Sequence, residues 1–293
     1  MVIQVAAKSD LGLVRKNNED SFYADSSIGL FVICDGMGGH VAGEVASQKA
    51  IEFAVNFLKT TMTSEEMPMR NDSDFRGFWN ELVTDAVSHV CDQLVRFASL
   101  SPELYGMATT MTLLLIVEDV AFVGHIGDSR LYLKHFEVAK QLTSDHTLLE
   151  EFIRENPNWI NLNNDIEAIR GFEHVLTRCV GRHADVEIDA FNFQLAEDDV
   201  LLLCTDGLSR YFSDEREIVG FLDVEDADTC VENLIGFANK SGGRDNVTAI
   251  VIRVVDLDEN NFDNHILLSG PFQLDVRPSP ECETAEWYPN ELV

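Results

Sequence analysis

The sequence predicts an α+β fold in which helices and antiparallel strands share one core, and three observations predict it. Apolar residues keep a three-four rhythm over two long stretches, 42–59 and 75–98, as core-facing helices require. Two apolar runs, Met111 to Val117 and Val120 to Ile126, are separated only by Glu118 and Asp119, which suits an antiparallel hairpin and excludes a purely parallel sheet. Further apolar runs of strand length stop at Asp or Gly. With 293 residues, 45% of them hydrophobic and 25% charged, the chain can bury such a core without disulfide staples.

Taken in order, Val2 to Ala7 alternates as a strand does. Ile28 to Cys34 is a short buried strand that the pair Asp35-Gly36 should end in a turn. A helix is expected from Ala42 to Lys59, where Ala46, Ala50, Phe53, Ala54, Phe57 and Leu58 recur at helical spacing behind a Gly-rich stretch. The polar segment Thr60 to Asp74 reads as a loop. The clearest helix runs from Phe75 to Ala98, with Trp79, Leu82, Val83, Ala86, Val87, Val90 and Leu94 on its core face. After the hairpin come buried strands at Asp199 to Cys204 and Val247 to Val255, with a helix at Asp228 to Asn239 between them that Gly242-Gly243 stops. From Asp256 the composition shifts to four of the seven prolines and nine acids against one Arg, which reads as an appended acidic tail over 256–293.

Charge narrows the function. Twenty-one Lys plus Arg against 51 Asp plus Glu gives a net charge of -30. Nucleic acid and anionic membranes are unsuitable partners for a chain with no basic run or basic helix. Acids in this surplus suit divalent cations, basic protein partners or plain solubility. The six cysteines, at 34, 91, 179, 204, 230 and 282, show neither a CxxC pair nor a zinc-like His spacing, and read as reduced thiols. No secretion signal follows Met1 and no run approaches a membrane span, so the expected location is cytoplasmic.

The chemistry concentrates in aspartates at strand ends: Asp35 after IGLFVIC, Asp128 after VAFVGHIG, Asp206 after VLLLCT, and Asp245 in the loop GGRDN before a strand. Any one Asp-Gly is ordinarily a turn, but four carboxylates on the rim of a sheet cannot stay charged and dry unless a cation joins them. Hard oxygen donors without Cys or His favour Mg²⁺ or Mn²⁺. The segment GLVRKNNEDSF adds Arg15, Glu19 and Asp20, and Arg15 suits either an exposed charge or a phosphate clamp.

In chain order, RKNNED (15–20), DGMGGHVAGEVAS (35–47), GMATTM (106–111), GHIGDSRLY (124–132), QLTSDHT (141–147), VLTRCVG (175–181), CTDGLSR (204–210) and GGRDNVT (242–248) together resemble the PPM/PP2C family of metal-dependent Ser/Thr protein phosphatases of bacterial type, over about residues 3–255. The resemblance implies a four-layer α-β-β-α sandwich, two antiparallel sheets flanked by helices, with a flap at about 146–174 inside a phosphatase domain spanning 1–255. It implies two core Mn²⁺ or Mg²⁺ ions and a third, looser one. Asp35 would bridge the core pair, Gly36 would offer its carbonyl, and Asp206 and Asp245 would complete the second ion's shell. Glu19 would hold a metal-bound water, Asp20 would support that shell, and Asp128 with Asp206 would hold the third ion. Arg15 would bind the substrate phosphate, and His40 is the candidate general acid. A hydroxide bridging the two ions would then attack phosphorus directly. Phosphorylated proteins and a cognate Ser/Thr kinase are the implied partners of a monomeric enzyme. The acidic, Asn-rich stretch from Leu148 to Glu173 and the tail depart from the family's pattern.

Two other readings compete. CTDGLSR fits the C-x-x-G-x-x-R loop of cysteine-based phosphatases, with Cys204 as nucleophile and Arg210 as clamp, although Asp206 would then put a negative charge inside a phosphate cradle. A non-catalytic phosphoprotein-binding module is the other, and the presence of Asp35, Asp206 and Asp245 argues against it.

Overall fold

The computed structural model describes residues 1–38, 42–64, 67–156 and 170–257. Two antiparallel sheets lie face to face with helices on both outer sides, as a four-layer sandwich. The first sheet has the order β1 (Val2–Asp10), β11 (Val247–Asp256), β10 (Val200–Cys204), β7 (Arg130–His135), β8 (Val138–Gln141). The second runs β2 (Asp20–Asp25), β3 (Leu30–Met37), β5 (Met111–Val117), β6 (Val120–Ile126), β9 (Asp189–Gln194), with the short β4 (Ala108–Thr109) paired to the end of β3.

Layering explains why the central strands read as unbroken apolar runs: both of their faces are buried. Leu30, Val32 and Cys34 of β3 point to one side with Leu113, Leu115 and Phe122, under helices α1 (Ala42–Ser64) and α2 (Phe75–Ala98). The alternate residues Phe31, Ile33, Leu114 and Val123 point inward and meet Leu131, Leu201, Leu203, Ile250 and Ile252 of the other sheet. Leu202, Cys204, Ala249 and Val251 face outward again, beneath α5 (Glu215–Leu222) and α6 (Ala227–Lys240).

Two expectations are corrected. Helix α1 continues to Ser64 instead of giving way to a loop at Thr60. Thr61 and Thr63 donate their hydroxyls to the carbonyls of Phe57 and Lys59 at 3.0 and 2.8 Å, and Met62 packs on the core, so tertiary contact carries the polar end of the helix. Strand β3 does not end in a turn at Asp35-Gly36 but runs through it to Met37, because Asp35 lies opposite Asp20 and Gly36 opposite Thr109 in the ladders.

Of the expected flap, 146–156, which includes α3 (Leu148–Glu155), and 170–174 are described, and 157–169 lie outside the described residues, as does His40. Thr147 caps α3 by accepting from Glu150 N–H at 3.2 Å. Strand β11 reaches Asp256 and Leu257 packs on the inter-sheet core, so the expected tail lies outside the described residues from 258 onward.

Candidate active site

The strand ends of both sheets meet at one edge of the sandwich. Asp35 is fixed by its backbone: its N–H donates to Thr110 Oγ1 at 2.9 Å, and its carbonyl accepts from Thr110 N–H at 2.9 Å and Thr109 Oγ1 at 2.8 Å. The next residue must be glycine for close approach, since a Cβ on Gly36 would lie 2.0 Å from the carbonyl oxygen of Gly43 in the first turn of α1. Gly36 N–H donates to Glu19 O at 3.1 Å and Ser47 Oγ donates to the same oxygen at 2.6 Å, so the start of α1 holds Glu19 beside Asp35.

Asn246 ties the amino-terminal segment to the loop before β11. Its Oδ1 accepts from Glu19 N–H at 2.9 Å, while its Nδ2 donates to the carbonyls of Leu11 and Asn17 at 3.0 Å. The loop between these anchors carries Arg15, whose Nε and Nη2 each lie 2.8 Å from an oxygen of Asp245. Asp206 opens the short helix α4 (Asp206–Ser209) at the end of β10, and Asp128 sits in the loop joining β6 to β7.

Arg15, Glu19, Asp35, Gly36, Asp128, Asp206 and Asp245 all line one cleft of about 890 Å³. Asp20 does not; it is buried beneath, with its Oδ2 accepting from Thr248 Oγ1 at 2.7 Å and Thr205 Oγ1 at 2.9 Å.

The electrostatics are those of acids crowded without enough cations. Burial, and after it the charges of Asp20, Asp206, Asp128 and Asp245, push the Asp35 carboxyl well above the usual carboxylate range. Burial and the charges of Asp206 and Asp145 lift Asp128 to about 8. Burial lifts Asp20 to about 7 against the two threonine hydrogen bonds. Asp20 Oδ1 and Asp206 Oδ1 are buried acceptors without a hydrogen-bond partner. Among the described residues no three acidic, His or Cys side chains form a ready-made cage, since Asp245 faces Arg15 and Asp206 faces Arg210. Unsatisfied hard oxygens and mutual repulsion are what a divalent cation relieves, so these residues fit Mg²⁺ or Mn²⁺.

Arg210 also lines the cleft, a place that the metal reading of the sequence did not give it. Its guanidinium pairs with Asp206 and lies 3.3 Å from Asp245 Oδ2, and its Nε donates to the Asp206 carbonyl at 3.0 Å. The available signal was its position four residues after Asp206, one helical turn on. The geometry does not suit the cysteine reading. Cys204 is fully buried in β10, burial pushes its thiol up to about 12, and it does not line the cleft.

Comparison with known proteins agrees with this fold. Residues 14–233 match the family model described as protein phosphatase 2C. The chain is 34% identical over 258 residues to the serine/threonine protein phosphatase PstP of Mycobacterium tuberculosis, covering 88% of this chain but only 46% of that protein, so it spans about half of that relative's length. It is 30% identical over 256 residues to the serine/threonine phosphatase stp of Listeria innocua, covering 84% of this chain and 93% of that one. The crystal structure of mycobacterial PstP superposes with a TM-score of 0.74 at 33% identity, covering 87% of this chain and all of that one. The PstP catalytic domain in complex with two manganese ions gives 0.72 at 35% identity, covering 87% of this chain and 99% of that one. With its two helix-flanked antiparallel sheets and its carboxylate-lined edge, the chain belongs to the protein phosphatase 2C family.

Proposed function

We propose that this protein hydrolyses phosphoserine and phosphothreonine in proteins with the help of divalent metal, Mn²⁺ or Mg²⁺. The observation that carries the reading is the convergence of Asp35, Asp128, Asp206 and Asp245 on one cleft with Arg15 on its wall. Asp35 would bridge two ions, with the Gly36 carbonyl, Asp206 and Asp245 completing their protein ligands, Glu19 holding a coordinated water and Asp128 with Asp206 holding a third ion. When bound, the ions supply Lewis acidity, making a water nucleophilic near neutral pH and offsetting charge on the phosphoryl group. Asp20 holds Thr205 and Thr248 beneath the site and so sets the register of Asp206 against Asp245. Arg15 turns its guanidinium from Asp245 to the incoming phosphate, a planar fork that suits two phosphate oxygens. His40 is the proposed proton donor to the departing Ser or Thr oxygen.

The catalytic unit of this proposal is 1–255 with its flap, completed by the last residues of β11, and the acidic tail is dispensable for turnover. Its partners are phosphorylated proteins supplied by a cognate Ser/Thr kinase, and it acts as a cytoplasmic monomer without nucleic acid or membrane. The deciding experiment is hydrolysis of p-nitrophenyl phosphate and of a phosphothreonine peptide, with Mn²⁺ and then with EDTA. Mn²⁺-dependent release of phosphate from both supports the reading; activity indifferent to EDTA overturns it.

A further inference from the structure

Between β6 and β7 the chain turns through Gly127, Asp128 and Ser129. Gly127 has φ +115°, and a Cβ there would lie 2.6 Å from the Thr110 side chain, so only glycine serves. A turn built on glycine does little by itself to aim the next side chain. The restraint comes from a segment nineteen residues on. His146 N–H donates to the Gly127 carbonyl at 2.8 Å, and Gly127 N–H donates to His146 Nδ1 at 3.0 Å. Beyond Asp128, Arg130 Nε and Nη2 donate to Asp145 at 2.9 and 2.7 Å, and Ser129 Oγ meets Thr110 Oγ1 at 2.8 Å. Asp128 is thus held between neighbours that Asp145 and His146 grip from either side.

The His146 side chain is buried, and its bond to Gly127 dictates its protonation. A backbone N–H can only donate, so Nδ1 must be the bare nitrogen and the proton must sit on Nε2. Nε2 lies 3.1 Å from Asp189 Oδ2, and the other oxygen of that carboxylate accepts from Arg178 Nη1 at 2.9 Å. The same Arg178 nitrogen is 3.4 Å from Nε2, longer than its bond to Asp189. A carboxylate behind Nε2–H selects the required tautomer, as carboxylates do behind metal-bound histidines; here a peptide N–H stands in place of the metal.

We infer that His146, held in one neutral tautomer by Asp189, is a positioning residue that fixes the Gly127 peptide and so directs the Asp128 carboxylate into the cleft. The inference rests on the reading of Asp128 as an ion ligand. Asparagine at 146 can place its carbonyl oxygen near the position of Nδ1, whereas glutamine places its amide near that of Nε2, so the two variants separate the two contacts. Metal-stripped full-length protein is titrated calorimetrically with Mn²⁺, and Mn²⁺-dependent hydrolysis of p-nitrophenyl phosphate is followed in parallel. His146→Gln should weaken the weakest Mn²⁺ step about tenfold, as Asp128→Asn does, while His146→Asn stays within about twofold of wild type. The ¹⁵N spectrum of wild-type His146, which needs no variant to fold, should show the neutral Nε2–H tautomer. Wild-type Mn²⁺ affinity in His146→Gln, equal losses in both His146 variants, or a protonated Nδ1 in the spectrum would each overturn the inference. If Asp128→Asn titrates like wild type, the reading of Asp128 itself falls instead.

Discussion

Strand β6 carries a buried aspartate beyond each end, and the two are kept in different company. Asp119, before Val120, is fully buried, but Arg70 Nη2 lies 3.2 Å from its Oδ2. Burial lifts its carboxyl only to about 6, with Arg70 and Arg76 opposing. Asp128, after Ile126, is buried to a similar degree and its strongest charged neighbours are Asp206 and Asp145, so it rises to about 8; the opposing Arg130 is already engaged by Asp145. An acid that only holds a hairpin is given an arginine. Asp35 and Asp128 at the cleft instead face chiefly other acids, an arrangement that costs stability unless a cation joins them.

The sharpest way to break that contrast is to remove the cation. EDTA should abolish phosphatase activity, and Mn²⁺ added to the stripped protein should restore it and raise the melting temperature. Full turnover in buffer with confirmed negligible metal would erase the distinction between the two ends. Substitution comes next: Asp35→Asn and Asp245→Asn should each cut kcat by more than about 100-fold, because outer-shell partners of a metal already cost 10- to 100-fold and these are proposed ligands. Circular dichroism should show both variants folded, and near wild-type turnover in both would refute the assignment.

Arginines sharpen the comparison at a smaller scale. Arg15 and Arg70 both pair with an aspartate, but the Arg15 side chain is 52% exposed and that of Arg70 only 20%. Arg15 can change partners; Arg70 also donates to Gln194 at 2.9 Å and is locked. Arg15→Ala should therefore raise KM for a phosphopeptide about tenfold with little change in stability. Arg70→Ala should leave KM alone and destabilise by about 2–3 kcal/mol, since it strands Asp119. Steady-state kinetics and urea titrations on the two proteins test both halves.

The same comparison shows where sequence reasoning stops. Apolar runs such as VLLLC and MTLLLIV announce strands buried on both faces, and the order of acids along the chain announces the cleft, because both signals are local. Asp119 and Asp128 look alike in sequence, each an acid beside an apolar run. What separates them is Arg70, 49 residues from Asp119 in the chain and brought to it only by the fold. Asp35-Gly36 shows the opposite failure. Its local turn chemistry was legible, and it was overridden by ladder partners on β2 and β4.

The smallest effect belongs to Asp119→Asn, and its value lies in its pH dependence. Asparagine keeps an oxygen for Arg70 and removes the charge, so activity at saturating Mn²⁺ should not change. The folded carboxyl titrates at about 6, above the ordinary 3.8, with burial as the main cause. An acid whose pKa is raised by folding binds its proton more tightly in the folded state. Its contribution to stability is therefore fully present below about 4 and is lost as pH rises through about 6. Asparagine cannot lose that contribution. Measured as the difference in melting temperature between variant and wild type, the effect should favour the variant increasingly from about pH 4 to pH 6 and level off above that. Taking the difference cancels the titration of the cleft acids, which both proteins share. A difference that stays flat across this range would mean that Arg70 fully compensates the buried charge, and the two ends of β6 would then differ more than their geometry suggests.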